Sequence, residues 1–160
     1  MEKNDTKGKL AYISFDDGWQ GNLKLIPIIE KYNVHITIFI AVNPIMSGNF
    51  WWEFVAKKVG YTQMQNFKNL PHDEFESQLK KIKTEVADLQ RSAMTIDELE
   101  TITKHPLISI QSHTINHPIL TKLPDDLLDF ELSESQKQLE KITGKSIFAF
   151  SYPNGSLSLI

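Results

Sequence analysis

The chain has 160 residues, no cysteine and a net charge of −3, with 41% hydrophobic and 23% charged residues. That length supports one domain with a real core, and the balance is that of an ordinary globular protein. Disulfides, thiolate metal sites and a basic nucleic-acid footprint are excluded, and no apolar stretch is long enough to span a membrane.

Residues 1–8 are polar, lack the apolar core of a signal peptide and read as a disordered tail. Either the chain stays in the cytoplasm or an export signal lies outside it, so the compartment stays open. Leu10 to Phe15 is apolar and stopped by turn residues, and reads as a short buried strand. Asp16, Asp17 and Gly18 follow. Adjacent carboxylates repel, more so when enclosed, and a cation beside them is the simplest remedy. Gly18 allows a sharp turn or a close backbone approach. Asp-Asp-Gly is equally the composition of a plain strand-end turn, and both readings stand here.

A helical pattern opens at Gly21-Asn22 and runs through Leu23, Ile26, Ile29 and Tyr32, with Pro27 expected to kink or shorten it. Val34 to Val42 reads as strand two, with His35 at its edge. Asn43-Pro44 and Ser47-Gly48 mark a loop. Phe50-Trp51-Trp52 lead into a short helix ending at Lys58, and the paired indoles suit sugar stacking and core packing alike. Thr62 to Asn69 shows no pattern. Pro71 to Arg91 reads as one long helix with a stripe of Phe75, Leu79, Ile82, Val86 and Leu89, an outer helix covering a sheet or barrel. His72 at its start reads as solvated.

Thr95 to Glu98 fits a capping box, and the helix it opens stops near His105-Pro106. His105 reads as a residue facing that helix's C-terminal dipole. Leu107 to Gln111 is strand three, running into Ser112-His113-Thr114-Ile115-Asn116-His117-Pro118. Histidines four apart suit one helix face, but Pro118 and the β-branched pair between them favour a curled loop. Pro124 opens a second long helix with a stripe of Leu128, Leu132, Ser135, Leu139 and Ile142, closed by Gly144. Ile147 to Phe150 is strand four, and Ser151-Tyr152-Pro153-Asn154-Gly155 is a turn.

Strands alternating with helices imply a parallel α/β sheet. Its strand C-termini share one face, where sites form. Asp16/Asp17, His113/His117 and 151–155 each follow a strand and should meet there. Two imidazoles and a carboxylate form a common zinc set with open positions. The second carboxylate is free to act as a general base.

Ser14-Phe15-Asp16-Asp17-Gly18, Ser112-His113-Thr114-Ile115-Asn116-His117-Pro118 and Phe150-Ser151-Tyr152-Pro153-Asn154-Gly155 resemble, in order, the first three motifs of the polysaccharide deacetylases, the NodB-homology domain of carbohydrate esterase family 4. The resemblance covers 9–160. It implies a distorted, incomplete (β/α) barrel of a seven-stranded type that removes N-acetyl or O-acetyl groups from a polymer such as poly-N-acetylglucosamine, a chitin-like chain or peptidoglycan. It implies one divalent metal, zinc foremost and cobalt or nickel next, held by Asp17, His113 and His117. Asp16 would be the base that deprotonates the metal-bound water, and the backbone N–H near Tyr152 would help hold the oxyanion. Trp19, Trp51, Trp52, Pro153 and Asn154 are the expected substrate contacts.

Two departures qualify the resemblance. Ser151 stands where many members carry an arginine paired with the base; that version resembles the branch acting on poly-N-acetylglucosamine and cell-surface polysaccharides. The family's later motifs, with its general acid, lie beyond the third motif, so the C-terminal part of the domain reads as missing. The chain alone is therefore expected to be a poor catalyst. An exposed edge near Leu157 to Ile160 would favour self-association. Two other readings compete: a small cyclic amide or imide hydrolase, and a non-catalytic carbohydrate-binding remnant of the fold.

Overall fold

A computed structural model describes residues 11–155. The expected 1–8 tail and the edge at Leu157 to Ile160 lie outside the described residues.

Three parallel strands form the sheet in the order β1-β2-β3: β1 Ser14–Phe15, β2 Ile36–Ile40 and β3 Ile108–Ser112. Ser14 pairs with Thr37, and Ile36 through Ile40 pair with Ile108 through Ser112. Every residue of β2 is buried, as expected of a central parallel strand covered on both faces. The fold is α/β, an arc of an incomplete (β/α) barrel.

The first and fourth strands are shorter than the sequence suggests. Tyr12 and Ile13 are exposed, and only Ser14 and Phe15 pair with β2. The 147–150 segment makes a single parallel bridge, Phe150 to Ser112. The buried Gln111 side chain explains the rest. Its Oε1 accepts the N–H groups of Phe148 and Ala149 at 2.9 and 2.8 Å, in place of a ladder.

Pro27 starts a helix and does not kink one. Residues Gln20–Leu25 form a 3-10 segment, and α1, Ile26–Tyr32, begins with Pro27 in its first turn, where the missing N–H costs nothing. Asn43 and Pro44 are likewise helical, in the short α2, Val42–Ser47, ended by left-handed Gly48. The helix expected after Phe50 is α3, Trp51–Val59, and the patternless stretch is α4, Tyr61–Phe67.

The long helix over Pro71 to Arg91 is cut short. α5 spans His72–Glu85. Beyond it the chain is irregular, with Asp88 at φ 61°, and side chains hold it: Asn49 Nδ2 donates to the Gln90 carbonyl at 2.7 Å, and Arg91 donates to the carbonyls of Ile45 and Met94 at 3.1 Å. Phe75, Leu79 and Ile82 face inward as expected, but toward α3 and α4. With Trp51, Val55, Met64 and Phe67 they build a second core beside the main one. α5 therefore covers helices and not the sheet.

α6, Ile96–Thr103, opens with the expected capping box, Thr95 Oγ1 accepting from Glu98 N and Glu98 Oε2 from Thr95 N. α7, Asp125–Thr143, buries Glu131, Ser135 and Leu139, four residues apart on one line facing the sheet. Leu132, expected inside, is 36% exposed. Gly144 closes α7 in the left-handed conformation, φ 66°.

Candidate active site

At the C-terminal end of β1 the backbone reverses through Asp17 and Gly18, both at positive φ, 74° and 90°. Gly18 N donates to Asp16 O at 3.0 Å, Ala41 N to Asp17 O at 3.2 Å, and Met94 N to Gly18 O at 3.0 Å. The first bond closes the turn, the second ties it to the end of β2 and the third to the segment before α6. A Cβ on Gly18 would lie 2.9 Å from Ile40 Cδ1 and 3.1 Å from Ile45 Cδ1. Gly18→Ala is therefore expected to destabilise the chain by about 1–3 kcal/mol, from overpacking and left-handed strain together. Denaturant unfolding measures it, and an unchanged midpoint would show that the turn relaxes freely.

The 113–118 segment is a loop, as its sequence predicts, with Thr114 and His117 at positive φ. Its backbone is fastened to the β2–α2 junction: His113 N donates to Ile40 O, Val42 N to Thr114 O and Asn43 N to Ile115 O, at 2.8 to 3.1 Å. Both imidazoles are buried and converge on one carboxylate oxygen. Asp17 Oδ1 lies 3.3 Å from His113 Nε2 and 3.1 Å from His117 Nε2. Asp17 Oδ2 accepts from Trp19 Nε1 at 2.9 Å. Burial pushes the Asp17 carboxyl up, but the hydrogen bonds and charges of the two histidines outweigh it and hold the group well below the usual carboxylate range.

The donor set fits a cation. His113 Nδ1 contacts the Ser151 carbonyl at 2.9 Å, and a carbonyl only accepts, so Nδ1 carries the hydrogen. In the neutral ring Nε2 is then a lone pair aimed at a carboxylate oxygen. Two acceptors in contact need a positive charge between them, a proton or a metal ion. Asp17, His113 and His117 each offer one ligand atom, all within 4.8 Å of one another, and nitrogen and oxygen donors of this kind suit zinc and related divalent ions.

The triad lines a cavity of about 470 Å³ together with Asp16, Trp19, Trp52, Tyr61, Tyr152 and Asn154. Asp16 is exposed beside it. Trp52 packs its ring against His117, centroids 4.6 Å apart. Tyr152 is 58% exposed, and its backbone N–H makes no hydrogen bond among the described residues. Trp51 does not join the cavity. It is buried in the second core and donates from Nε1 to the His117 carbonyl at 3.0 Å. Pro153 is buried and off the cavity lining as well. His35, His72 and His105 lie away from the cavity, and His105 pairs with Glu30 at 3.2 Å.

Sequence reasoning missed the side chains that hold the loops. Glu131 sits on α7 beside the expected apolar stripe and in line with Ser135 and Leu139, and nothing in its sequence neighbourhood marks it as buried. Gln111, inside a strand, and the carbonyl of Ser151 carry no signal in sequence.

The family model for polysaccharide deacetylase matches residues 3–159. No curated protein matches. Among solved structures, the chain is similar to the deacetylase PplD of Streptococcus pyogenes, at 19% identity over 96% of this chain and 50% of that one, TM-score 0.64. It is similar to IcaB from Ammonifex degensii, at 17% identity over 94% and 53%, TM-score 0.60. It is also similar to a polysaccharide deacetylase from Bacillus cereus, at 21% identity over 92% and 34%, TM-score 0.59. The chain thus spans between about a third and a half of the length of these structures. The likeness in fold and the match along nearly the whole chain place it in the polysaccharide deacetylase family.

Proposed function

We propose that this chain carries the catalytic centre of a metal-dependent hydrolase that removes N-acetyl groups from a polysaccharide, with O-acetyl esters as the alternative. The observation that carries this reading is the convergence of Asp17, His113 and His117 at the strand ends, within a cavity that also holds Asp16. The ligands would be Asp17, His113 and His117, with zinc foremost and cobalt or nickel next. A bound divalent ion supplies Lewis acidity there, lowering the pKa of water toward about 7 and polarising the acetyl carbonyl.

Asp16 is the base of this reading. Its carboxylate is outside the triad, faces the cavity and takes a proton from the attacking water. The Tyr152 N–H, unpaired among the described residues, donates to the oxygen of the acetyl group as charge develops. Trp52 and Trp19 offer flat faces for a sugar ring and Asn154 offers an amide. Collapse of the tetrahedral centre breaks the C–N bond: the sugar nitrogen takes up a proton, the one that Asp16 accepted from the water, and leaves as a free amine while the acyl group departs as acetate.

The test is acetate release from chitin oligomers and from peptidoglycan, with and without a chelator, alongside a panel of cyclic amides. Expected is slow acetate release, well below that of a chain carrying the family's later motifs, which disappears with chelator and returns with added zinc. Turnover of cyclic amides without acetate release, or sugar binding without any turnover, would sink the reading.

A further inference from the structure

We infer that Glu131 on α7 is a positioning residue for the metal-ligand loop, a role that rests on the metal reading of the triad. Glu131 is 5% exposed, yet among the described residues it has no cationic partner. Its oxygens face only the loop. Oε2 accepts the backbone N–H groups of Ile115 and Asn116 at 2.8 and 2.9 Å, and Oε1 accepts the Asn116 side-chain amide at 2.6 Å. Asn116 in turn accepts from Asn43 Nδ2 at the start of α2.

These bonds fall between the two histidines. Thr114 and His117 flank the pair of N–H groups and both sit at positive φ, 73° and 56°. A non-glycine residue holds that conformation only where its surroundings over-determine it. The same curl is what aims two imidazoles four residues apart at one oxygen. A carboxylate accepting two adjacent N–H groups is a strong, directional anchor for such a turn. Ser135, one turn along α7, adds a second tie. Its hydroxyl meets Ser112 Oγ at 2.7 Å, next to His113. α7 thus sets the loop's shape from behind, while the cavity side stays clear.

The experiment is a Co²⁺ titration, followed by visible absorbance, of the wild-type chain and of Glu131→Ala, Glu131→Asp and Glu131→Gln, with melting temperatures of the metal-free proteins. Leu139→Ala is the control. It lies about two turns further along α7, is fully buried and touches no loop residue by hydrogen bond. Glu131→Ala and Glu131→Asp should weaken Co²⁺ binding by roughly 10–100-fold, as losses behind metal ligands do, because neither reaches both N–H groups. Glu131→Gln, which keeps the length and an acceptor, should recover part of the affinity. Leu139→Ala should lower the melting temperature and leave affinity unchanged.

Wild-type affinity in Glu131→Asp overturns the inference, including where Glu131→Ala does not fold. So does an equal loss of affinity in Leu139→Ala at the same melting temperature. Amide hydrogen exchange separates the two levels of the argument. If wild type binds no Co²⁺ but Ile115 and Asn116 lose protection in Glu131→Asp alone, the metal reading fails and the hold of Glu131 on the loop stands.

Discussion

Asp16→Asn should keep metal binding and lose acetate release by roughly 10²–10⁴-fold, the contribution of a general base. Asparagine fills the same volume and still accepts a hydrogen bond, but its amide cannot take a proton. Asp16 is exposed at the cavity wall and is not one of the three clustered ligand groups. The substitution therefore leaves the ligand cradle and the core intact, and stability should stay near wild type. The two measurements are metal content after dialysis and initial rate of acetate release at saturating zinc. Loss of metal with the rate would make Asp16 a ligand. An unchanged rate at full metal content would hand the base role to another group.

The sheet and the site were legible because both rest on short-range pattern. β2 is a β-branched, almost wholly apolar run and β3 alternates Ile108 and Ile110 with polar residues, both short strand patterns, and parallel topology puts whatever follows them on one face. Asp17, His113 and His117 needed nothing more to be placed together. What was not legible depended on long-range hydrogen bonds. Gln111 replaces ladder bonds of the 147–150 segment with side-chain bonds, so an apolar run that reads as a strand makes only one bridge. Arg91 and Asn49 pull residues after Glu85 away from helix, although the apolar spacing continues to Leu89.

The paired tryptophans show the same limit at the site. Trp51 and Trp52 are consecutive on α3, about 100° apart around its axis, and so face different surroundings. Trp51 enters the helical core, and Trp52 turns to the cavity and His117. Periodicity alone assigns neither, because apolar residues run unbroken from Phe50 to Trp52 and give no one-sided stripe. Burial of Glu131 is the counterpart. A charged residue beside an apolar stripe looks solvated until the loop it holds is in view.

Asp17→Asn should abolish tight metal binding and turnover together, the opposite pattern to Asp16→Asn. Asp17 Oδ1 is the atom on which both imidazoles converge, and the carboxylate is the anionic member of the three. An amide oxygen is a poor ligand for a divalent ion, and the substitution removes the charge that balances the cation. The amide also raises a local conflict. Trp19 Nε1 donates to Oδ2 at 2.9 Å, so the Asn amine must either face that N–H or face the histidines. Neither orientation restores the cradle. Affinity should fall by more than the 10–100-fold typical of losing an outer partner. The metal-free fold should survive, because Asp17 is held in its left-handed turn by the backbone bond from Ala41 to its carbonyl, and asparagine tolerates that conformation well. Co²⁺ titration with a parallel melting curve decides the point. Retention of near wild-type affinity would show that the two histidines recruit a different carboxylate, with Asp16 the nearest candidate in sequence.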